Sequence, residues 1–171
     1  MADKKTIQDL LADEIKDLYS AEKQLTKAIP KMAKASSDPG LKAALNAHLK
    51  ETQEQVARLE EVAKILEMKP TGKKCVGMEG CIKEGAEALE EDGASVILDL
   101  GIIGAGTRVE HYEMAGYMTA ISLAQRLGSA DVVGLLKASL AEEQGADQKL
   151  RAIGSGLLKS AIKEDSRKVP K

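Results

Sequence analysis

Apolar residues along the chain recur in alternating steps of three and four, the spacing of one helical face. The first run reads Ile7, Leu11, Ile15, Leu18, Glu22, Leu25, Ile29, Met32 and predicts a helix over about 6–35. Thr6 and Asp9 at its start form a capping-box pattern. Pro30 lies inside the run and predicts a kink, and Ser36-Ser37-Asp38-Pro39-Gly40 breaks it. A second run, Leu45, His48, Glu51, Gln55, Leu59, Val62, Leu66, predicts a helix over about 41–67, ended by Pro70-Thr71-Gly72. The third run is Ile103, Gly106, Glu110, Glu113, Tyr117, Ala120, Ala124, Leu127, a helix over about 94–127. Gly128-Ser129 makes the next turn. The fourth, Val133, Leu136, Leu140, Glu143, Asp147, Leu150, Gly154, Leu157, Ala161, predicts a helix over about 130–162, followed by a charged tail, 163–171, expected to fray.

Between the second and third runs lie too many residues for a tight turn. A short helical pattern around Ile82 to Leu89 predicts a small helix over about 78–91 within this connection. Two antiparallel hairpins joined by one long crossover is the ferritin-like form of the four-helix bundle, an all-α fold. The 171 residues suit one domain with one core, so a single domain over 1–171 is expected. With no Phe and no Trp, that core must be Leu, Ile, Val, Met and Ala between close helices.

Each stripe is interrupted by acid near its middle: Glu22, then Glu51, then Glu110 and Glu113, then Glu143 and Asp147. An α-helix rises about 1.5 Å per residue, so in the first hairpin Glu22 and Glu51 lie about 24 and 20 Å from the turn. In the second, Glu110 and Glu143 lie about 27 and 23 Å from theirs. Glu113 and Asp147 are each one turn further along. All six carboxylates are therefore expected to share one layer at mid-bundle. Buried charge is costly unless neutralised, and two divalent cations would neutralise most of it. Oxygen ligands favour iron, or manganese, over copper.

Other side chains are read against this layer. His48 shares the inner face, as a ligand or as a hydrogen-bonded core residue, and His111 projects about 100° away from Glu110. Gln55, Tyr19 and Tyr117 are expected near the acids, the tyrosines as packing groups with hydroxyls bonded to carboxylates. Glu54 is expected outside, paired with Arg58 four residues on, and Glu142 off the stripe. Gly101, Gly104 and Gly106 are costly inside a helix and predict close approach of a helix of the bundle or of a second subunit, hence a homodimer. Cys75 and Cys81, six apart, lack zinc-site spacing and are expected as thiols.

Net charge is −2 with acids and bases interspersed, which argues against a nucleic-acid partner. No apolar run is long enough to span a bilayer, and the polar start, Met1-Ala2-Asp3-Lys4-Lys5, is no signal peptide, so the cytosol is expected.

Five stretches closely resemble one known group: Leu18-Tyr19-Ser20-Ala21-Glu22-Lys23-Gln24-Leu25, Ala47-His48-Leu49-Lys50-Glu51-Thr52, Cys75-Val76-Gly77-Met78-Glu79-Gly80, Val109-Glu110-His111-Tyr112-Glu113 and Leu140-Ala141-Glu142-Glu143. In order and spacing, over nearly the whole chain, the sequence resembles the YciF-like branch of the ferritin-like superfamily. The resemblance implies a rubrerythrin-like di-metal centre, a tendency to dimerise and a bacterial stress response. Carried over by motif, Glu22, Glu51, Glu110, Glu113 and Glu143 would be ligands. The sequence departs from the wider pattern: Glu54 and Ala146 stand where His would follow Glu51 and Glu143 at i+3, with Gln55 and Asp147 one position later. The Cys-x-x-Cys pairs of rubrerythrins are absent. The expected function is a di-iron carboxylate protein that oxidises Fe(II) or reduces peroxide or O₂. The alternative is a dimeric helical scaffold with a vestigial metal site. A storage cage has no support in the sequence.

Overall fold

The computed structural model describes the backbone of residues 5–90 and 95–168, and all of their side chains except 88, 90 and 163–168. It contains α1 (Ile7–Ala35), α2 (Pro39–Ile65), α3 (Val76–Glu90), α4 (Ser95–Arg126) and α5 (Ala130–Lys168). The chain forms two antiparallel hairpins, α1–α2 and α4–α5, joined by the crossover that carries α3. The hairpins pack through α2 on α5 and α1 on α4, and α3 lies against α4 and α1. This is the ferritin-like arrangement expected above.

Local chemistry sets the ends. At α1, Thr6 Oγ1 accepts from the Asp9 backbone N–H at 3.1 Å and Asp9 accepts from the Thr6 N–H at 2.8 Å, completing the capping box. The helix continues past Pro30. Asp38 caps α2 by accepting from Leu41 N–H at 2.7 Å, with Pro39 in the first turn where its missing N–H costs nothing. Gly128 turns the second hairpin at φ 73°, a left-handed conformation that glycine adopts freely. The start expected at residue 94 falls outside the described residues. The expected end at 162 is corrected: α5 runs on to Lys168, so residues 163–168 are helical, and the rest of the expected tail, 169–171, lies outside the described residues.

The core has two apolar parts. One, around Leu25, Ile29, Leu41, Leu45, Met78 and Ile102, lies toward the α1–α2 turn. The other, around Leu11, Ile15, Leu18, Leu59, Tyr117 and Leu136, lies toward the opposite end. The acids of the stripes sit between them along every long helix.

The crossover is pinned at Cys75. Its N–H donates to Ser20 Oγ at 2.9 Å, its carbonyl accepts from Gln24 at 3.0 Å, and its thiol lies 3.0 Å from the Tyr112 hydroxyl. Tyr112 in turn bonds Asp17 at 3.0 Å. Cys75 and Cys81 are both thiols. Among the described residues, no helix is long and apolar enough to cross a membrane.

Candidate metal centre

The four long helices each deliver a polar side chain into the layer between the apolar clusters. Helix α1 contributes Glu22, α2 His48 and Gln55, α4 Glu110, Glu113 and Tyr117, and α5 Glu143. One ligand atom each from His48, Glu110, Glu113 and Glu143 lie within 4.8 Å of one another. Glu22, Glu113 and Glu143 have no exposed surface, Glu110 has 2% and His48 6%. His48 Nε2 stands 3.3 Å from Glu110 Oε1 and 3.7 Å from Glu143 Oε2.

Few donors reach this concentration of negative charge. Tyr117 donates its hydroxyl to Glu22 Oε1 at 2.5 Å, and the Gln55 amide donates to Glu143 Oε1 at 2.5 Å. Neither oxygen of Glu113 receives a hydrogen bond. Burial, reinforced by neighbouring carboxylates, pushes Glu22, Glu110 and Glu113 well above the ordinary carboxyl range. Glu143 is raised by burial too, against the opposing influence of Glu110, His48 and Gln55. Burial, then the charges of Glu22 and Glu113, raises the Tyr117 hydroxyl and keeps it a donor. Glu22 with Glu113, and Glu110 with Glu143, face each other closely enough to share a proton.

The remaining expected site residues lie further out. Glu51 sits on the margin, its side chain 36% exposed, with Oε2 3.2 Å from His48 Nδ1. That contact, ahead of the cost of partial burial, holds its carboxyl below the ordinary range. The expectation that the α2 stripe turns Glu51 fully inward is corrected: Thr52 is the buried residue, its hydroxyl bonded to the His48 carbonyl at 3.0 Å. Asp147 is only partly exposed, and both its oxygens accept from Arg151 Nε at 2.9 Å while His111 lies 3.4 Å away. Tyr19 makes the expected hydroxyl-to-carboxylate bond, but to Glu60 at 3.0 Å, so only its placement beside the acid layer is corrected. The expected Glu54–Arg58 pair gives way to a different one. Arg58 makes two bonds of 2.9 Å to Glu142 on α5 and one of 2.7 Å to Ser139. Of the three glycines, Gly106 meets the expectation of close approach, since an added Cβ would lie 2.9 Å from Leu150.

A family described as a domain of unknown function, DUF892, matches residues 6–163. The chain belongs to the DUF892 family. It is 43% identical over 147 residues to protein YciF of Escherichia coli strain K12, covering 85% of this chain and 89% of that protein. The crystal structure of the E. coli stress protein YciF superposes with a TM-score of 0.88 at 40% identity, over 91% of this chain and 99% of the other. A Rhodopseudomonas palustris protein, YcfI, provisionally described as structural, gives 0.84 at 42% identity over 88% and 96%. A protein of Xanthomonas campestris shares the fold with a TM-score of 0.74 at 19% identity, over 94% and 99%.

In this DUF892 chain, the donor set at the layer suits a cation. Seven buried side-chain atoms receive no hydrogen bond among the described residues: Glu22 Oε2, His48 Nε2, Gln55 Oε1, Glu110 Oε2, both oxygens of Glu113 and Glu143 Oε2. All seven belong to the acid layer. The group His48, Glu110, Glu113 and Glu143 has the donors and spacing that could hold a metal ion. A small cavity of about 10 Å³ touches it, lined in part by His48, Glu51, Glu110 and Ala146. An apolar groove of about 320 Å³ lies elsewhere, between α1, α3 and α4.

Proposed function

We propose that this chain is a di-metal carboxylate protein of a bacterial stress response, with iron the favoured metal and manganese the alternative, reacting with O₂ or peroxide. The observation that carries this reading is the confinement of every buried, unpartnered side-chain polar atom among the described residues to one layer. Proteins seldom leave such atoms unpaired, and a mutually repelling set suits a missing positive partner. Glu22, Glu110, Glu113, Glu143 and His48 would hold the cations. Five such groups from four helices resemble the donor sets of carboxylate-bridged metal pairs in bundles. The set is rich in oxygen, which suits hard or borderline cations.

Bound iron would supply electron transfer to a small oxidant. The protein's own part is to hold and enclose. Tyr117 fixes Glu22 and Gln55 fixes Glu143 by the bonds described above. The two apolar clusters keep bulk water from the layer. A cavity of about 10 Å³ beside the cluster has room for about one water-sized group. A cytosolic homodimer belongs to the same reading. Exposed Ile97 and Leu158, 55% and 51% accessible, support an assembly face where the start of α4 meets the second half of α5.

Anaerobic reconstitution of the full chain with Fe(II) or Mn(II), desalting and metal analysis tests the reading. About two metals per chain are expected, falling sharply in Glu110→Ala and Glu143→Ala. Less than about one per chain, unchanged by either substitution, would overturn it. Peroxide or O₂ consumption by the iron form tests the reaction.

One observation favours a second reading. The facing carboxyls can share protons within their pairs, so the layer can be partly satisfied without metal. A dimeric helical scaffold would then be the function, in keeping with the provisional description of the R. palustris relative. It predicts a melting temperature unmoved by chelators or added metal, whereas a cation that binds only the folded state raises it.

A further inference from the structure

We propose that Glu51 is the port through which a divalent cation reaches the buried layer, with His48 as the relay behind it. This rests on the metal reading above. The Glu51 side chain is 36% exposed, whereas those of Glu110 and Glu143 are 3% and 0% exposed. His48 connects the two environments. Its Nδ1 lies 3.2 Å from Glu51, and its Nε2, unpartnered and buried, points toward Glu110 and Glu143 at 3.3 and 3.7 Å. A carboxylate at the surface is thus linked through one imidazole to the carboxylates of the interior.

The cavity of about 10 Å³ lies at this junction, lined by His48, Glu51 and Glu110 together with Ala146 and Lys149. Its volume holds about one water-sized group. A hydrated cation is too large for it, so water must be shed at the mouth. Glu51 can supply oxygen ligands while that happens. Ala146 keeps the passage open because its side chain is a single methyl. Lys149 lines the same cavity as Glu51, which puts its charge beside that carboxylate. The same lysine opposes an arriving cation and so limits the rate.

A port alters the barrier and not the end states. Changing it therefore alters association and dissociation by the same factor and leaves Kd in place. A resident ligand behaves differently, because its loss weakens binding chiefly through faster release.

The test is stopped-flow uptake of Co(II) by the full chain, followed by its visible absorption, with a chelator chase for release. Ala146→Leu is expected to slow uptake and release alike, by about tenfold or more, with Kd changed less than about threefold. Glu51→Gln is expected to slow both in the same way. Lys149→Glu is expected to speed uptake several-fold, with the gain shrinking as salt is raised. Wild-type rates in both Ala146→Leu and Glu51→Gln would overturn the port while leaving the metal reading intact. Lower stoichiometry in Glu51→Gln, with release faster rather than slower, would overturn it by making Glu51 a resident ligand. No Co(II) uptake by the wild type would remove the metal reading itself, and the port with it. Should Ala146→Leu fail to fold, as judged by circular dichroism, the margin variants Glu51→Gln and Lys149→Glu decide the matter alone.

Discussion

Replacing Glu113 with Gln should stabilise the metal-free protein and destroy its response to metal. Glu113 has no exposed surface and receives no hydrogen bond at either oxygen. Burial, then the charges of Glu22, Glu143 and Glu110, drives its carboxyl upward, so near neutral pH the folded chain must either protonate it or bury an uncompensated charge. An ordinary glutamate titrates near 4.3, and each pH unit by which a proton must be held above that value costs about 1.4 kcal/mol. At about pH 7.5 the cost is therefore at most about 4 kcal/mol. Gln has nearly the same size, carries no charge and offers amide hydrogens to the facing Glu22 carboxylate. A gain of about 1–4 kcal/mol is expected, and for a chain of this length about 2–4 °C in Tm per kcal/mol. The assay is urea and thermal unfolding of wild type and Glu113→Gln, in chelator and with excess Mn(II). In chelator the variant should be the more stable. With Mn(II) at about a hundred times Kd the wild type should gain about 2.7 kcal/mol and the variant much less. A variant no more stable than wild type in chelator would refute the reasoning, because the layer would then carry no electrostatic penalty for metal to relieve.

The same carboxyls predict an unusual pH profile. Their folded values lie above their unfolded ones, so the stability they allow is full below the ordinary carboxyl range and is lost as pH rises toward the raised values. In chelator the unfolding free energy from urea titrations should fall from pH 5 to pH 8, by up to about 1.4 kcal/mol per pH unit for each group in its titration range, and the midpoint with it. Glu113→Gln should flatten the fall, and a wild-type midpoint that holds steady or climbs would contradict it. At the α1–α2 turn, buried Asp99 accepts from the backbone N–H groups of Ser37 and Asp38 at 2.8 and 2.9 Å. Asp99→Ala should cost about 2–4 kcal/mol and speed hydrogen exchange at those two amides; a loss under about 0.5 kcal/mol with unchanged exchange would show that the turn does not depend on it.

The hairpins were legible because the 3.6-residue period is strong and the breakers at Pro39-Gly40 and Gly128 are unambiguous. Glu22, Glu110, Glu113 and Glu143 were legible for the same reason: each interrupts an apolar stripe at a height the helical rise makes comparable. Asp99 was not. Its partners are 61 and 62 residues away in sequence, and a side chain that caps another hairpin's turn leaves no periodic trace.

The errors on α2 and α5 have a common physical source. From His48, steps of three and four lead equally well to Gln55 through Glu51 or through Thr52. A preference for acid chose Glu51, whereas burial chose Thr52, whose hydroxyl is satisfied by the carbonyl of His48 on its own helix. Such self-satisfied threonines cost little inside, and an alternation of steps cannot tell them from a ligand position. The i,i+4 spacing links Glu54 to Arg58, but the neighbouring helix offers Arg58 a better partner in Glu142. The same spacing holds between Asp147 and Arg151. An exposed ion pair contributes roughly 0–1 kcal/mol, so a partner across the helix interface easily outbids a local one for Arg58. Asp147 keeps its local partner even with His111 of α4 3.4 Å away, and its carboxylate is drawn to the rim. A layer of acids therefore sorts itself by the cations nearby: those within reach of a guanidinium or of His48 Nδ1 move outward. Those walled in by Leu, Ile and other carboxylates stay buried, where Tyr117 and Gln55 satisfy one oxygen each of Glu22 and Glu143 and a metal ion or a shared proton must relieve the rest.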